Sequence, residues 1–369
     1  MRDSSQAANA GVRVAMFPDS DGNPYIGRLR SALASDGVGF VSDHANLLSV
    51  SWLRRHAGEG LVLHLHWPSQ FYASDRVPTV TSTAKFVAKW LWARRHGYHL
   101  SWTCHNLLPH EADPGRWLHL LVRRVLCGTV DWIFVHSRWT VSELDRLYGA
   151  GRKCVVMPHG DLIGELGPAV SRQAARGTLG LEDDVRVFCA VGKIRAYKGV
   201  EALISSFRRV ASPSDRLLIA GLAEPEMAER LRAMVAGQDS IRLDLGWVPD
   251  DRLLAYLGAA DAMVFPFTRI LNSSSLILAM SYSSLCVAPR TGSLPEVLPE
   301  DAGVYYEPED ANGLIEALRG VQRLAPDEAQ ERRRRALEAA KRLSWSEAAR
   351  VMAGAWAGSR RDPAVAPPP

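Results

Sequence analysis

The chain of 369 residues has no CxxC pair, and its five cysteines, Cys104, Cys127, Cys154, Cys189 and Cys286, are scattered and odd in number. That pattern argues against a disulfide framework and a zinc knuckle, and most of these thiols sit in apolar runs as reduced core residues. No apolar run reaches the ~18 residues that span a bilayer, and the N-terminal MRDSSQAANAGVRVAMF has no hydrophobic signal core. A cytoplasmic protein is expected. Excess charge is also scarce: Lys+Arg 44 against Asp+Glu 40 gives a net charge of +4, too little for nucleic acid to be the main partner. An anionic ligand or an anionic membrane surface stays open. The first strand runs into FPDSDGNPY rather than G-x-G-x-x-G, and no Walker A lysine loop occurs. A dehydrogenase is therefore disfavoured.

What is present is apolar and periodic. Hydrophobic residues make up 47% of the chain, enough for two domains with cores of their own. Short β-type runs, among them VRVAMF (12–17), LVLHLHW (61–67), LSWTCHN (100–106), VRVFCAVG (185–192) and AMVFPF (262–267), alternate with segments whose apolar residues stand three and four apart. This is the pattern of α/β doubly wound parallel sheets. About five strands fall on each side of the loop-like stretch 160–177, so two Rossmann-like domains are expected, 1–170 and 171–345. A helix over 346–360 is expected to return to the first domain, followed by a disordered Pro-rich tail, 361–369. The default ligand site is the cleft between two such sheets, where polar residues cluster at strand ends.

VGKIRAYKGVEALISSF (191–207) carries the clearest chemistry. A strand ends at Gly192, then Lys193, Arg195 and Lys198 precede a helix start near Gly199. Three cations and a helix N-terminus at one strand end suit a diphosphate. RILNSSSLILAMSY (269–282) adds a Ser273-Ser274-Ser275 step that either caps its own helix or holds phosphate.

Here the sequence resembles the GT-B glycosyltransferases of family 4, group 1. VGKIRAYKG is similar to that family's G-[RK]-x-x-x-x-KG element, and DRLLAYLGAADAMVFPF (251–267) to its helix and strand leading into the donor site. RTGSLPEVL (290–298) is similar to its G-G-x-P-E-V segment, and GNPYIGRLRSAL (22–33) to its first loop and helix. The resemblance implies a GT-B fold with two Rossmann-like domains facing a cleft, the acceptor on the N-terminal one and the nucleotide-sugar donor on the C-terminal one. It implies a UDP- or GDP-linked sugar as co-substrate, no separate cofactor, and retention at the sugar carbon. The implied donor residues are Gly192, Lys193, Arg195, Lys198, Trp247, Val248, Asn272, Ser273, Ser274, Ser275 and Leu276. One departure matters. Aligning Ala279-Met280 puts Ile270 and Leu278 where many members carry two glutamates, so ribose recognition falls to another group, for which Glu296 is the candidate.

In SWTCHNLLPHEADP (101–114) imidazoles and carboxylates lie within a few residues of one strand end. The resemblance makes His105 the candidate for contact with the donor sugar or transition state, and Glu111 is the candidate base if the reaction inverts. Asn23, Tyr25, His66, Trp67, Asn106 and His159 are the acceptor-side candidates. His64 and His66 share one strand face, but no third ligand accompanies them and no metal site is expected. The three donor-site cations and a helix dipole are expected to do the work of a metal ion. STAKFVAKWLWARRH (82–96) reads as a helix whose aromatics span more than one face, so packing on the sheet is expected, with contact to an anionic membrane as the alternative. The expected activity is sugar transfer to the hydroxyl of a carbohydrate or glycoconjugate acceptor. Its rivals are a GT-B nucleotide-sugar epimerase and a non-catalytic nucleotide-sugar-binding subunit.

Overall fold

The computed structural model describes residues 11–18, 23–41, 48–74, 77–107 and 115–358. Two compact units comprise residues 1–160 with 343–369, and residues 161–342. Each holds a parallel sheet of six strands, where the sequence pattern gave about five. In the first unit β1 (Arg13–Phe17), β2 (Gly39–Phe40), β3 (Val62–Leu65), β4 (His99–Thr103), β5 (Trp132–Val135) and β6 (Cys154–Val156) lie in the order 2-1-3-4-5-6. In the second, β7 (Arg186–Val191), β8 (Asp215–Ala220), β9 (Ile241–Asp244), β10 (Ala262–Val264), β11 (Cys286–Pro289) and β12 (Gly303–Tyr306) lie in the order 9-8-7-10-11-12. The strands missing from the sequence pattern are β2, only two residues long, and β12, a half-buried edge strand. β2 is too short to show a periodicity, and β12, buried at only one residue, lacks the continuous apolar run of the central strands.

Central strands such as β3 and β11 are buried along their whole length because helices cover both sheet faces. The strand order reverses beside β1 and again beside β7. Loops there leave in opposite directions, and each sheet opens a crevice beyond its strands' carboxyl ends.

Polar caps start the helices that flank these crevices. Asn23 accepts from the Tyr25 N–H to open α1 (Pro24–Ser35). Thr79 and Ser82 form a capping box on α2 (Val80–Arg95). α3 (Arg116–Thr129) follows β4, and Ser137 caps α4 (Arg138–Tyr148). α5 (Val200–Arg208) follows the Lys198 turn, Ser273 caps α6 (Ser274–Ser281), and α7 (Trp345–Gly358) packs on α1. Trp356 of α7 is buried in the first unit's core, 5.5 Å from the His64 ring and 5.6 Å from Phe134.

The two units repeat one locking device. Asp131, just before β5, accepts from the Leu100 N–H of β4 at 2.8 Å and pairs with Arg94. Asp261, just before β10, accepts from the Val187 N–H of β7 at 2.8 Å and from the buried Arg176 at 2.9 Å. In both places a carboxylate fixes the register of the strand whose carboxyl end carries site residues.

Candidate active site

The second unit's crevice is shaped by glycines. A Cβ on Gly199, at φ +67°, would lie 1.8 Å from the Pro266 carbonyl oxygen, and one on Gly221 would lie 2.0 Å from the Gly192 carbonyl oxygen. Only glycine permits these approaches. They fold the 192–199 loop against the exits of β8 and β10 and leave a shallow, solvent-open pocket lined by Gly192, Lys193, Lys198, Val264, Pro266 and Phe267.

The three cations differ in state. Lys193 is exposed. Arg195 is nearly buried and pairs with Glu224 from the loop after β8. Lys198 has its ammonium 4.4 Å from the Phe267 ring centroid, and among the described residues no carboxylate lies within ion-pair distance of it. Burial lowers its pKa to about 8. A dianionic group entering the pocket would supply the charge that Lys198 lacks.

The serine step divides its work. The Ser273 hydroxyl accepts from the Leu276 N–H at 3.1 Å and is the cap. Ser274 is exposed, and the Ser275 hydroxyl stands 3.5 Å from where a Gly192 Cβ would point. Asn272 accepts from the Ser293 hydroxyl at 3.1 Å, which ties the step to the turn after β11. Ile270 belongs to the buried core and Leu278 packs against it, so at neither place does the fold offer a carboxylate a polar setting. Trp247, 82% exposed, and half-buried Val248 follow β9, and Glu296 is exposed in the short helix Leu294–Val297. None of these three lines the pocket.

In the first unit, the ends of β3 to β6 bring histidines around one tyrosine. The Tyr25 ring centroid lies 4.8 Å from His105, 5.2 Å from His159, 5.7 Å from His66 and 5.2 Å from Trp345. Its hydroxyl is 3.5 Å from His136 Nε2. His66 Nδ1 and His105 Nε2 share a hydrogen bond of 3.0 Å, and the Trp67 ring stacks on His105 at 4.6 Å. Asn106 follows His105, half-buried, its carbonyl accepting from the Cys104 thiol. Behind them His64 is held by Ser101 and Thr103, each at 2.9 Å.

Burial, reinforced by repulsion between neighbouring imidazoles, lowers the His64 pKa to about 3 and takes His66 and His105 well below the usual value. Burial and the neighbouring His159 lower His136 to about 3, and burial lowers His159 to about 4. At neutral pH the cluster is uncharged, so its members can donate or accept hydrogen bonds as neutral imidazoles. Among the described residues no three His, Cys, Asp or Glu are arranged to hold a metal ion.

Tyr25, His66, Trp67, His105 and His159 thus come together, with Asn23 capping the helix that carries Tyr25. Glu111 lies outside the described residues. The candidate list lacks two members of the cluster, His136 and Trp345. His136 ends β5 in the same way that His66 ends β3, a signal present in the sequence. Trp345 has no local signal: it reaches the cluster from α7 by packing on Gly160, where a Cβ would lie 2.3 Å from the indole.

Residues 185–323 match the family described as Glycosyl transferases group 1. The GDP-mannose:glycolipid 4-beta-D-mannosyltransferase of Xanthomonas campestris pv. campestris is 28% identical over 326 residues, covering 84% of this chain and 82% of that protein. Sucrose-phosphate synthase from Thermosynechococcus elongatus superposes with a TM-score of 0.71 at 20% identity over 92% of this chain and 96% of that one. HepE from Anabaena, in complex with UDP-glucose, superposes with a TM-score of 0.66 at 13% identity over 90% of this chain and 96% of that one. Together these likenesses support a group 1 glycosyltransferase, and the two six-stranded α/β units have the fold of the GT-B enzymes.

Proposed function

We propose that the second unit binds a UDP- or GDP-linked sugar and that the first unit presents the hydroxyl of a glycolipid or other carbohydrate acceptor, with no metal ion required. The observation that carries the donor assignment is Lys198, a largely buried ammonium with no carboxylate partner among the described residues, facing a pocket that only glycines allow. In this reading Lys198 and Lys193 hold the diphosphate, and Arg195 exchanges Glu224 for a phosphate oxygen. Gly192 and Ser275 offer a backbone and a hydroxyl to the same group. Positive charge around the departing diphosphate stabilises the transition state as the sugar C1–O bond breaks. Trp247 offers an exposed ring for the base and Glu296 a carboxylate for the ribose.

The acceptor side rests on the stacked Trp67 and His105 rings, a flat wall against which a sugar ring can lie. GDP-mannose and a glycolipid are the donor and acceptor in the name of the Xanthomonas relative, and they are the first pair to assay. The resemblance implies retention. A second reading, inversion, is favoured by apolar Ile270 and Leu278 at the glutamate positions and by the β-mannosyl product in that relative's name. In that case Glu111 is the candidate base, and a neutral imidazole of the His66–His105 pair would orient the acceptor hydroxyl through a hydrogen bond.

A thermal-shift screen with UDP, GDP, ADP and TDP tests the donor site. One diphosphate should raise the melting temperature, and no response to any of the four contradicts the reading. Proton NMR of the product decides between retention and inversion.

A further inference from the structure

The outward faces of α2 and α3 are apolar and basic at once. The two helices lie side by side, and neither sequence, VTSTAKFVAKWLWARR or RWLHLLVRRVLCGT, contains an acidic residue. On α3 the inner face buries Leu118, Val122 and Leu126. The outer face, at positions three and four apart, shows Trp117 (59% exposed), Leu120 (40%), Leu121 (44%) and then exposed Arg124. On α2 the exposed side carries Val80 at its start, then Lys85 and Leu91. The starts of the helices adjoin, because a Cβ on Gly115 would lie 2.8 Å from the Pro78 ring. Arg94, at the far end of α2, is neutralised by Asp131, which leaves Arg95, Arg116, Arg124 and Lys85 as exposed basic residues on the two helices.

A tryptophan and two leucines in one exposed patch mark an interaction surface. The charge pattern selects the partner. Basic residues beside an aromatic and leucines, with no acid on either helix, match the headgroup boundary of an anionic bilayer. We infer that this face docks on an anionic phospholipid membrane, Trp117, Leu120 and Leu121 entering the headgroup boundary while Arg116, Arg124 and Lys85 meet lipid phosphates. α2 and α3 follow β3 and β4 and so begin at the sheet edge that carries the His66–His105 cluster. A docked first unit would hold that cluster near the sugar of a lipid-linked acceptor. This last use rests on the acceptor reading above, whereas membrane binding itself does not.

The test mixes the full chain, without nucleotide sugar, with phosphatidylcholine vesicles that contain or lack phosphatidylglycerol. The protein should sediment only with phosphatidylglycerol vesicles and be released as salt rises. Neutralising Arg116 or Arg124 with glutamine should weaken binding about fivefold each, and Trp117→Ser with Leu121→Ser about tenfold or more. The arginine variants leave the apolar packing untouched and serve if the double variant fails to fold. Failure to sediment, or variants that bind like the parent, overturns the inference. So does a dimer that the double variant dissolves without any vesicle binding, because a second copy would then cover the face. Nucleotide thermal shifts on the same samples report separately on the donor site, so the two readings can fail independently.

Discussion

Replacing Lys198 with methionine should make the ligand-free protein more stable and a much poorer enzyme. Burial lowers the Lys198 pKa from 10.5 to about 8. At ~1.4 kcal/mol per pH unit that is a cost of roughly 3 kcal/mol for keeping the charged form at pH 7. Because solvent still reaches part of the side chain, about 1–2 kcal/mol is the better expectation. Methionine keeps the length and the contact with Phe267 and removes the cost, so the melting temperature should rise by roughly 2–8 °C. The sign can be checked with pH. The folded state gives up the Lys198 proton near pH 8 and the unfolded chain holds its proton to about 10.5, so the parent gains stability between these values. The advantage of the variant should therefore shrink over that window. Losing a charged hydrogen bond to the donor should cost about 1.5–3 kcal/mol, roughly 10- to 150-fold in affinity. Calorimetric melting from pH 7 to 10.5, with nucleotide titrations at pH 7, measures both. A variant that melts lower than the parent, or binds nucleotide as well, refutes the reasoning.

Further outcomes concern the rest of the scaffold. Gly199→Ala places a Cβ 1.8 Å from a carbonyl oxygen at φ +67°; it should lose at least about 1–3 kcal/mol and the nucleotide-induced melting shift. Asp261→Ala leaves Arg176 buried without its carboxylate, and denaturant titration should show a loss of about 3–5 kcal/mol. His66, His105 and their neighbours titrate in the unfolded chain near pH 6.5 but far lower when folded, so stability should fall as pH drops below about 6.5, most steeply in the parent and less so in His66→Gln. Trp67→Ala and His105→Ala should raise the acceptor KM while the nucleotide thermal shift stays at the parental value.

The sheets and their order of elements were legible because buried parallel strands are continuous apolar runs and their crossover helices show a 3.6-residue repeat. The loop between β7 and α5 was legible for a similar reason: VGKIRAYKG keeps its glycines and cations together in the chain. What lay hidden depends on contacts between distant segments. Arg195 reads as a free phosphate ligand, but Glu224, on another loop, pairs with it. Ser273 reads as either a helix cap or a phosphate ligand, and only the folded chain shows its hydroxyl accepting the Leu276 N–H as a cap. Trp345 joins Tyr25 and His159 only because Gly160 lets a helix from the far end of the chain approach. The apolar and basic character of α3 was written in RWLHLLVRR, but which side of that helix faces outward is decided by the sheet it covers.

The most direct test follows nucleotide release. The purified chain is incubated with GDP-mannose or UDP-glucose, a glycolipid extract as acceptor and a chelator of divalent metals. The account predicts acceptor-dependent release of one nucleoside diphosphate that survives the chelator and falls at least about tenfold in Lys198→Met. Release that the chelator abolishes, or that Lys198→Met sustains at the parental rate, would contradict it.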